Sequence, residues 1–244
     1  MSAPVLVSVV VPMKDEEGSL PLLAREIAEL EGLLAARGHA LEAVLVDDGS
    51  VDGTAAAAAA WCAAGPRRRI ERHDENRGFG AGLRTGVAAT TGDVVVSYDA
   101  DCAYAARDAI KLLDAVEAGA DVATATPFAE GAAFGGGPFR RFLSWACSFA
   151  YRVALRGRAR GVRTFTCAFR AYGGDLIRGL AWRSDRFLAA AEILSLALLR
   201  GARVAEVPST LRARVAGASK MRVVRTALGH LRQVARLAFA PGAA

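Results

Sequence analysis

Carboxylates follow two apolar runs of this sequence at positions where their side chains could do chemistry. Asp99 and Asp101 come directly after the run 94–98, and Asp47 follows the run 43–46. Two carboxylates at a strand end can hold a hard divalent cation, which keeps several waters and also takes phosphate oxygens as ligands. A carboxylate at a second strand end can accept hydrogen bonds from a nucleobase or a ribose. The same residue types also make turns and cap helices, so the pattern alone leaves both uses open.

The glycine and cysteine patterns disfavour three other classes of site. Segment 76–82 reads Asn-Arg-Gly-Phe-Gly-Ala-Gly before a predicted helix, but Leu83 stands where G-x-G-x-x-G needs its third glycine. No glycine fingerprint follows the first strand, so a dinucleotide-binding Rossmann enzyme is disfavoured. No G-x-x-x-x-G-K-[ST] motif occurs, which disfavours a P-loop NTPase. The four Cys lack C-x-x-C spacing and the three His do not cluster with them, which disfavours a zinc site.

Strand and helix patterns alternate through the first half of the chain. Strands are predicted over 5–11, 43–46, 69–72, 93–98 and 121–125. Helices are predicted after Ser19 and over 54–64, 82–89 and 106–118. This order predicts an α/β fold with a doubly wound, mainly parallel sheet and helices on both faces. Such sheets bind ligands at the carboxyl ends of their strands, where the carboxylates lie.

Charge is distributed unevenly along the 244 residues, of which 53% are hydrophobic. That apolar fraction excludes an intrinsically disordered chain. Residues 1–130 carry a net charge of −10 and residues 131–244 a net charge of +16, with no acid between Glu130 and Asp175. A basic half of this kind predicts an anionic partner: a phosphorylated substrate, an anionic membrane surface or nucleic acid. Nucleic acid is disfavoured, because few aromatic residues interleave with the arginines and no RNP-like or zinc-finger pattern occurs.

Two predicted helices of the basic half, 139–155 and 221–239, have apolar faces with arginine edges. This pattern is typical of helices at a membrane interface, and packing against the core or a dimer interface is the alternative. The alternative weighs almost equally for 221–239, whereas the membrane is favoured for 139–155. In and after that helix, five arginines occur without one acid: Arg140, Arg141, Arg152, Arg156 and Arg158. No run of 18 or more uncharged apolar residues occurs, so membrane contact is predicted to be peripheral.

Eight short motifs, taken in order, resemble the family 2 glycosyltransferases of the GT-A fold. Within that family the likeness is to polyprenyl-phosphate glycosyltransferases such as dolichol-phosphate mannose synthase, and it covers residues 7–221. The motifs are Val-Val-Val-Pro-Met-Lys-Asp-Glu-Glu at 9–17, Val-Asp-Asp-Gly-Ser at 46–50, Asn-Arg-Gly at 76–78, Asp-Ala-Asp at 99–101, Phe-Arg-Ala-Tyr at 169–172, Glu-Ile-Leu at 192–194, Glu-Val-Pro at 206–208 and Arg-x-x-Gly-x-Ser-Lys-Met at 214–221.

The resemblance implies a role for each matching residue. The residues implied in binding the nucleotide-sugar are Pro12, Glu16, Leu45, Asp47, Asp99, Ala100 and Asp101. Asp99 and Asp101 are the implied ligands of Mg2+ or Mn2+. The residues implied in catalysis are Asp101, Arg214, Lys220 and Glu192, and those implied in binding an acceptor phosphate are Arg140, Arg141, Arg170 and Ser219. The implied organisation is one GT-A domain over 1–220, with a nucleotide-sugar half 1–130 and an acceptor half 131–220, followed by a basic amphipathic helix over 221–244.

Three positions depart from the family pattern. Lys14 replaces an aromatic residue that is common two positions after the first proline. Ala103 stands where a metal-binding Gln follows the Asp-x-Asp motif, and Pro127 stands where an Arg is expected near the next strand. The last two changes weaken the implied metal and donor-phosphate contacts, and they are compatible with a different donor, a divergent subfamily or an inactive relative.

The activity implied is metal-dependent, inverting transfer of a sugar, mannose or glucose, from a GDP- or UDP-linked donor to polyprenyl or dolichyl phosphate. A phosphate acceptor needs no general base, because with a second pKa of about 6 it is largely dianionic at neutral pH. A basic half that is poor in carboxylates suits such an acceptor. The expected location is the cytoplasm, peripherally at the inner face of the cytoplasmic membrane. The alternatives are a soluble hydroxyl acceptor with Glu192 as base, or a non-catalytic relative that binds a sugar nucleotide or a lipid phosphate.

Overall fold

Seven strands form one sheet in the order β3-β2-β1-β4-β6-β5-β7. The computed structural model describes residues 3–133, 135, 137–212 and 223–239. The strands are β1 (Leu6–Met13), β2 (Ala40–Asp48), β3 (Arg68–His73), β4 (Val94–Ser97), β5 (Val122–Thr126), β6 (Arg170–Gly173) and β7 (Val204–Pro208). The helices are α1 (Leu20–Ala35), α2 (Thr54–Ala63), α3 (Phe79–Ala88), α4 (Ala109–Glu117), α5 (Pro138–Ala154), α6 (Gly174–Gly179), α7 (Ala189–Leu199) and α8 (Val223–Phe239).

The sheet is parallel except at β6, which pairs antiparallel with both β4 and β5. Sequence patterns did not predict this strand, because it has only four residues and begins with Arg170. The carboxyl ends of the other six strands and the amino end of β6 therefore share one edge of the sheet, here called the carboxyl edge. The predicted mainly parallel, mixed α/β arrangement is confirmed.

The core lies in two layers, one on each face of the sheet. Successive side chains of a strand point to opposite faces, so Val9 and Val11 join one apolar cluster and Val10 joins the other. The first cluster includes buried residues of α1, such as Ile27, and the second includes buried residues of α7, such as Leu194. Helices thus cover both faces, as the alternating order of elements predicted.

Helix α3 begins at Phe79, three residues before the predicted start at Gly82. Its glycines allow close packing: a Cβ at Gly86 would lie 2.3 Å from Val10 Cγ1, and one at Gly80 would lie 2.2 Å from the carbonyl oxygen of Ser184. The helix is thereby held against β1 on one side and against the loop before α7 on the other. Gly78, at φ +104°, makes the turn into the helix.

Helix α8 packs against α5 and joins the core through Val234 and Leu237. The Tyr151 hydroxyl lies 2.9 Å from His230 Nδ1 and donates to Gln233 Oε1 at 2.8 Å. Burial lowers the pKa of His230 to about 4, so its ring is neutral at pH 7. Of the two alternatives left open for this helix, packing against the protein therefore holds for its inner face.

The outer faces of α5 and α8 remain apolar and open to solvent. Leu228 and Leu231 of α8 are 51% and 62% exposed. On α5 an exposed apolar stripe, 51% to 68% accessible, consists of Phe139, Phe142, Trp145, Phe149 and Val153. Within the described ranges, no helix is both long and apolar enough to span a bilayer.

Candidate active site at the carboxyl edge

Asp47, near the end of β2, has a carboxylate that is only partly paired. Its side chain is fully buried, and Oδ1 accepts a hydrogen bond from Ser50 N at 3.1 Å. Oδ2 has no hydrogen-bond donor in the described part of the chain, although Arg72 Nε lies 3.5 Å away. A buried acceptor without a donor costs about 1–3 kcal/mol. This oxygen is therefore suited to a donor from outside the chain, such as a nucleobase N–H.

Asp48, the next residue, holds the 76–78 loop instead. Its Oδ1 accepts from Arg77 N at 2.9 Å and its Oδ2 accepts from Gly78 N at 2.7 Å. His73 Nδ1 lies 2.7 Å from Oδ1, and His73 Nε2 lies 2.9 Å from Thr85 Oγ1 on α3. The two adjacent aspartates therefore differ: Asp48 positions the loop, and Asp47 has one carboxylate oxygen without a hydrogen-bond donor among the described residues.

The loop after β1 is bonded to the loop after β2. Pro12 pairs in register with Val46. Glu16 N donates to Thr54 Oγ1 at 2.7 Å, and its carboxylate accepts from Ser19 Oγ at 2.7 Å. Pro12 and Glu16 are both half-buried; Pro12 lies opposite the residue before Asp47, and Glu16 is bonded to the first residue of α2.

Lys14, the first departure from the family pattern, also links the loop after β1 to the loop after β2. Its Nζ donates to the carbonyl oxygen of Gly49 at 2.8 Å and lies 3.1 Å from Asp15 Oδ1. An ammonium group here takes the place of an aromatic ring and links the loops after β1 and β2.

Asp99 and Asp101 lie in one tight turn just after β4, here called the aspartate turn. The carbonyl oxygen of Asp99 accepts from Cys102 N at 3.1 Å, and Asp101 Oδ1 accepts from Ala103 N at 3.1 Å. Cys102 has a φ of +50°, which makes the turn sharp. Beneath it, the ring of buried Phe169 packs 5.3 Å from the ring of Tyr98 and 5.4 Å from that of Tyr104.

The chemistry of this turn fits a divalent cation. Both aspartates are half-buried at the carboxyl edge and offer hard oxygen donors two residues apart. Across the described residues, no group of three or more His, Cys, Asp or Glu side chains forms a metal cluster. Mg2+ is commonly bound by one or two carboxylates together with substrate phosphates and water, which matches a site of two aspartates.

Two of the predicted nucleotide-binding residues have buried side chains that belong to the core. Leu45 is completely buried in the middle of β2, and Ala100 is buried with Tyr98 and Cys102. Apolar neighbours on the first face of the sheet enclose the Leu45 side chain, so it presents no surface for direct contact with a ligand. Ala100 contributes to the packing under the aspartate turn.

Arg212 brings the chain after β7 back to the aspartate turn. Its backbone N donates to the carbonyl oxygen of Ala103 at 2.8 Å, and its Nη1 donates to Glu26 Oε1 at 3.0 Å. Three of the predicted catalytic or phosphate-binding residues, Arg214, Ser219 and Lys220, lie outside the described residues. The side chain of Arg140 is likewise outside the described part of the structure.

Arg170 is a structural residue, so its predicted contact with an acceptor phosphate is wrong. Its side chain is completely buried. Nε donates to Thr124 Oγ1 at 3.0 Å, Nη2 donates to the carbonyl oxygen of Phe165 at 2.8 Å, and Nη1 donates to that of Ala190. The guanidinium thus joins β5, α7 and the chain before β6 inside the molecule.

Glu192, in the first turn of α7, supports the loop that precedes the helix. Its two carboxylate oxygens accept hydrogen bonds from Arg183 N at 3.0 Å and Ser184 N at 2.9 Å. This loop in turn contacts α3, because Ala81 N donates to the carbonyl oxygen of Asp185 at 3.1 Å. The geometry gives Glu192 a positioning role at the carboxyl edge.

A basic groove of about 550 Å³ lies beside α5. This arginine groove is lined by Phe128, Pro138, Arg141, Phe142, Trp145, Arg152 and Arg163. Glu206 on β7 holds the segment that forms the far wall of the groove. Its carboxylate accepts hydrogen bonds from the backbone N–H of Arg163 and, at 2.8 Å, from that of Thr164. Burial raises the pKa of Glu206 despite these bonds. The sequence patterns pointed to Arg141 and Arg152 but missed Phe128 and Arg163, which are isolated residues of separate loops.

Comparison with known proteins gives a family and close relatives in sequence. The family described as "Glycosyl transferase family 2" matches residues 8–176. Polyprenol monophosphomannose synthase of Mycolicibacterium smegmatis is 31% identical over 87% of this chain and 80% of the relative. Dolichol-phosphate mannosyltransferase of Pyrococcus furiosus is 30% identical over 95% of this chain, which spans 63% of that longer protein.

Solved structures agree with the fold. Glucosyl-3-phosphoglycerate synthase from Mycobacterium tuberculosis, in complex with Mn2+, UDP and phosphoglyceric acid, superposes with a TM-score of 0.73. The two proteins are 20% identical, and the match covers 98% of this chain and 80% of that one. The likeness confirms the predicted GT-A fold.

Proposed function

Because the chain belongs to glycosyl transferase family 2 and is a glycosyltransferase, we propose that it transfers the sugar of a nucleotide-sugar to a polyprenyl phosphate at a membrane surface. The observation that carries this proposal is the division of the carboxyl edge. Carboxylates lie at the ends of β2 and β4, and arginines line the groove beside α5. The names of the two relatives, which refer to polyprenol and dolichol phosphates, support the same acceptor class.

The donor half of the proposal rests on Asp47 and the aspartate turn. The buried Oδ2 of Asp47 would accept an N–H from the base, while Pro12 and Glu16 lie beside the nucleoside. Mg2+ or Mn2+ held by Asp99 and Asp101 would supply charge neutralisation for the leaving diphosphate. The donors proposed are GDP- or UDP-linked mannose or glucose.

The reaction proposed is one displacement at the anomeric carbon. An acceptor phosphate oxygen forms the new bond as the bond to the nucleoside diphosphate breaks, so the anomeric configuration inverts. Negative charge moves onto the leaving group, and preorganised cations lower the cost of that change. Arg214 and Lys220 are proposed to supply them. In the sequence Arg214 follows two residues after Arg212, whose backbone is bonded to the turn.

The proposal includes no general base to deprotonate the acceptor, because a phosphate acceptor does not need one. The dianion is already nucleophilic at neutral pH. Glu192, the carboxylate that a hydroxyl acceptor would need, is engaged by two backbone N–H groups. Arg140, Arg141 and Ser219 are proposed to bind the acceptor phosphate, and the exposed stripe of α5 would face the lipid.

The test is transfer of radiolabelled sugar from a panel of GDP- and UDP-sugars, with Mg2+ or Mn2+, into an organic-extractable polyprenyl phosphate. Label in the lipid phase is the expected result, and it would identify the donor. Label only in a water-soluble product would replace the proposal with a hydroxyl acceptor. Donor binding without transfer to any acceptor would indicate a binding protein.

A further inference from the structure

Glu26 of α1 is a buried carboxylate to which the proposed reaction gives no task. Its side chain is only 10% exposed. Oε2 accepts a hydrogen bond from Ala106 N at 2.6 Å, and Oε1 accepts one from Arg212 Nη1 at 3.0 Å. A carboxylate taken out of water is costly unless its oxygens are paired, so the folded chain keeps both donors in place.

Both donors belong to segments that adjoin the aspartate turn. Ala106 follows Asp101 by five residues in the sequence. Arg212 N donates to the carbonyl oxygen of Ala103 at 2.8 Å, and Ala103 N donates in turn to Asp101 Oδ1 at 3.1 Å. A continuous series of contacts therefore leads from Glu26, through Arg212 and Ala103, to one of the two proposed metal ligands.

The aspartate turn needs support from outside itself. Cys102 has a φ of +50°, a left-handed conformation that a residue with a side chain keeps only where its surroundings hold it. The carboxylates of Asp99 and Asp101 repel each other until a cation binds, because they carry like charges close together in one turn. The side chain of Ala103 offers no ligand atom, and among the described residues no third acidic, His or Cys side chain completes a metal cluster. With so few ligands, cation affinity depends on how firmly the turn is held beforehand.

From these contacts we infer that Glu26 is a positioning residue for the divalent cation. By holding the Ala106 N–H and the Arg212 guanidinium, it keeps the two aspartates in the arrangement that binds the metal and, with it, the donor diphosphate. Glu26 touches neither the cation nor the donor in this role. The inference rests on the metal-dependent donor binding of the proposed function and on none of its acceptor chemistry.

Variants of the full chain can separate this role from support of the fold. Glu26→Gln and Arg212→Gln each break the ion pair, whereas Arg212→Lys keeps a cation opposite the carboxylate. Arg212 is 39% exposed, so its variants are expected to fold even if Glu26→Gln does not. The matched control is Glu29→Gln, also on α1. Glu29 pairs with Arg107, the residue after Ala106, in an exposed bridge with an N–O distance of 3.4 Å, and such bridges contribute little.

Calorimetric titration of GDP and of UDP over a series of Mg2+ concentrations measures the metal dependence of donor binding. The Mg2+ concentration that gives half of the full effect should rise about tenfold in Glu26→Gln and Arg212→Gln, the lower limit of the loss caused by groups that orient metal ligands from outside. Arg212→Lys should recover most of that loss, and Glu29→Gln should match the parent. Hydrogen exchange of the amides of 102–106, without metal or nucleotide, should be faster in the first two variants, because the turn is held less firmly.

A Mg2+ response equal to that of the parent in Glu26→Gln and Arg212→Gln would overturn the inference, and a lowered melting temperature alone would assign Glu26 to the fold. Unchanged hydrogen exchange, or an equal loss in Glu29→Gln, would overturn it as well. Nucleotide binding that ignores Mg2+ in the parent would contradict the proposed metal site and remove the basis of the inference. That result is distinct from a parent that responds to Mg2+ and variants that respond alike.

Discussion

Adjacent or similar residues at the carboxyl edge have different tasks, and burial decides between them. Asp47 has an oxygen without a donor, Asp48 is fully used by backbone N–H groups, and Asp99 and Asp101 lie half-buried in a turn. Arg170 is enclosed, whereas Arg141 and Arg163 are exposed in the groove. Side-chain type alone does not separate a ligand from a structural residue.

Replacing Asp101 should remove metal-dependent binding of the donor. In Asp101→Asn the shape is kept but a charged oxygen donor is lost, and altering metal sites even outside the ligands costs about 10- to 100-fold in metal affinity. Calorimetric titration of the nucleotide-sugar, with and without Mg2+, measures the effect. The control is Asp175→Asn, whose exposed carboxylate pairs with Arg178 on α6, away from the turn. The same dependence of donor affinity on Mg2+ concentration in parent and Asp101→Asn would contradict the metal assignment.

Replacing Arg170 should impair stability. Arg170→Met keeps much of the volume but leaves Thr124, Phe165 and Ala190 without their donor in a buried site. A buried acceptor left without its donor costs about 1–3 kcal/mol, so the loss at three acceptors is large enough for urea unfolding to detect. Unchanged unfolding free energy together with a raised KM for the acceptor would instead restore the phosphate-binding role.

At the scale of elements, each end of the sheet has its own hydrogen-bond network, which ties neighbouring strands together. At the amino ends of the strands, Glu42 of β2 accepts hydrogen bonds from Ser8 of β1 and from Thr91, which precedes β4, and pairs with Arg69 of β3. Burial raises the pKa of Glu42, but these hydrogen bonds and the Arg69 charge outweigh burial and hold it below its usual 4.5. Four consecutive segments of the sheet are therefore tied by one carboxylate.

The Glu42 network should make stability fall in acid. Because the pKa of Glu42 is lowered in the folded state, its contribution is present above pH 4.5 and is lost as the pH falls through the folded-state pKa. Glu42→Gln should cost about 1–3 kcal/mol at pH 7 and flatten the dependence of unfolding free energy on pH below 4.5. Glu31→Gln, which removes a more exposed pair with Arg68, is the control. The same acid dependence in Glu42→Gln and parent would show that another group is responsible.

At the scale of the whole molecule, α5 and α8 form a single surface with a packed inner side and an apolar outer side. Tyr151, His230 and Leu237 fill the inner side. The stripe of α5 and the exposed leucines of α8 cover the outer side. An apolar face with arginines at its edge is typical of proteins that lie on a bilayer.

Paired substitutions on α8 can separate membrane contact from packing. The double variant Leu228→Ser/Leu231→Ser should bind vesicles at least about tenfold more weakly, since each buried leucine contributes about 1.5–3 kcal/mol, and its melting temperature should not change. Val234→Ser/Leu237→Ser should lower the melting temperature instead, because both residues pack on the core. Vesicle flotation and thermal unfolding measure the two effects. Unaltered flotation of the first variant would contradict membrane contact by this helix.

Local patterns of the sequence were sufficient to predict the order of strands and helices and many of the residues proposed to bind the donor. Apolar runs, their period and the residues just after them are properties of neighbours in the chain. They therefore predicted β1, β2 and β4 and the aspartates after two of these strands, and they supported the resemblance to family 2. Strand β6 could not be predicted in this way, because its four residues carry too little periodicity.

Only the tertiary structure decided which polar residues are buried and which surfaces meet. Leu45 and Arg170 are both among the predicted site residues, yet packing encloses both side chains. The arginine groove joins residues from the loop after β5, from α5 and from the chain before β6, with Glu206 of β7 fixing one wall. Contacts between segments so far apart in the chain depend on how the whole sheet assembles, and no local period or spacing encodes them.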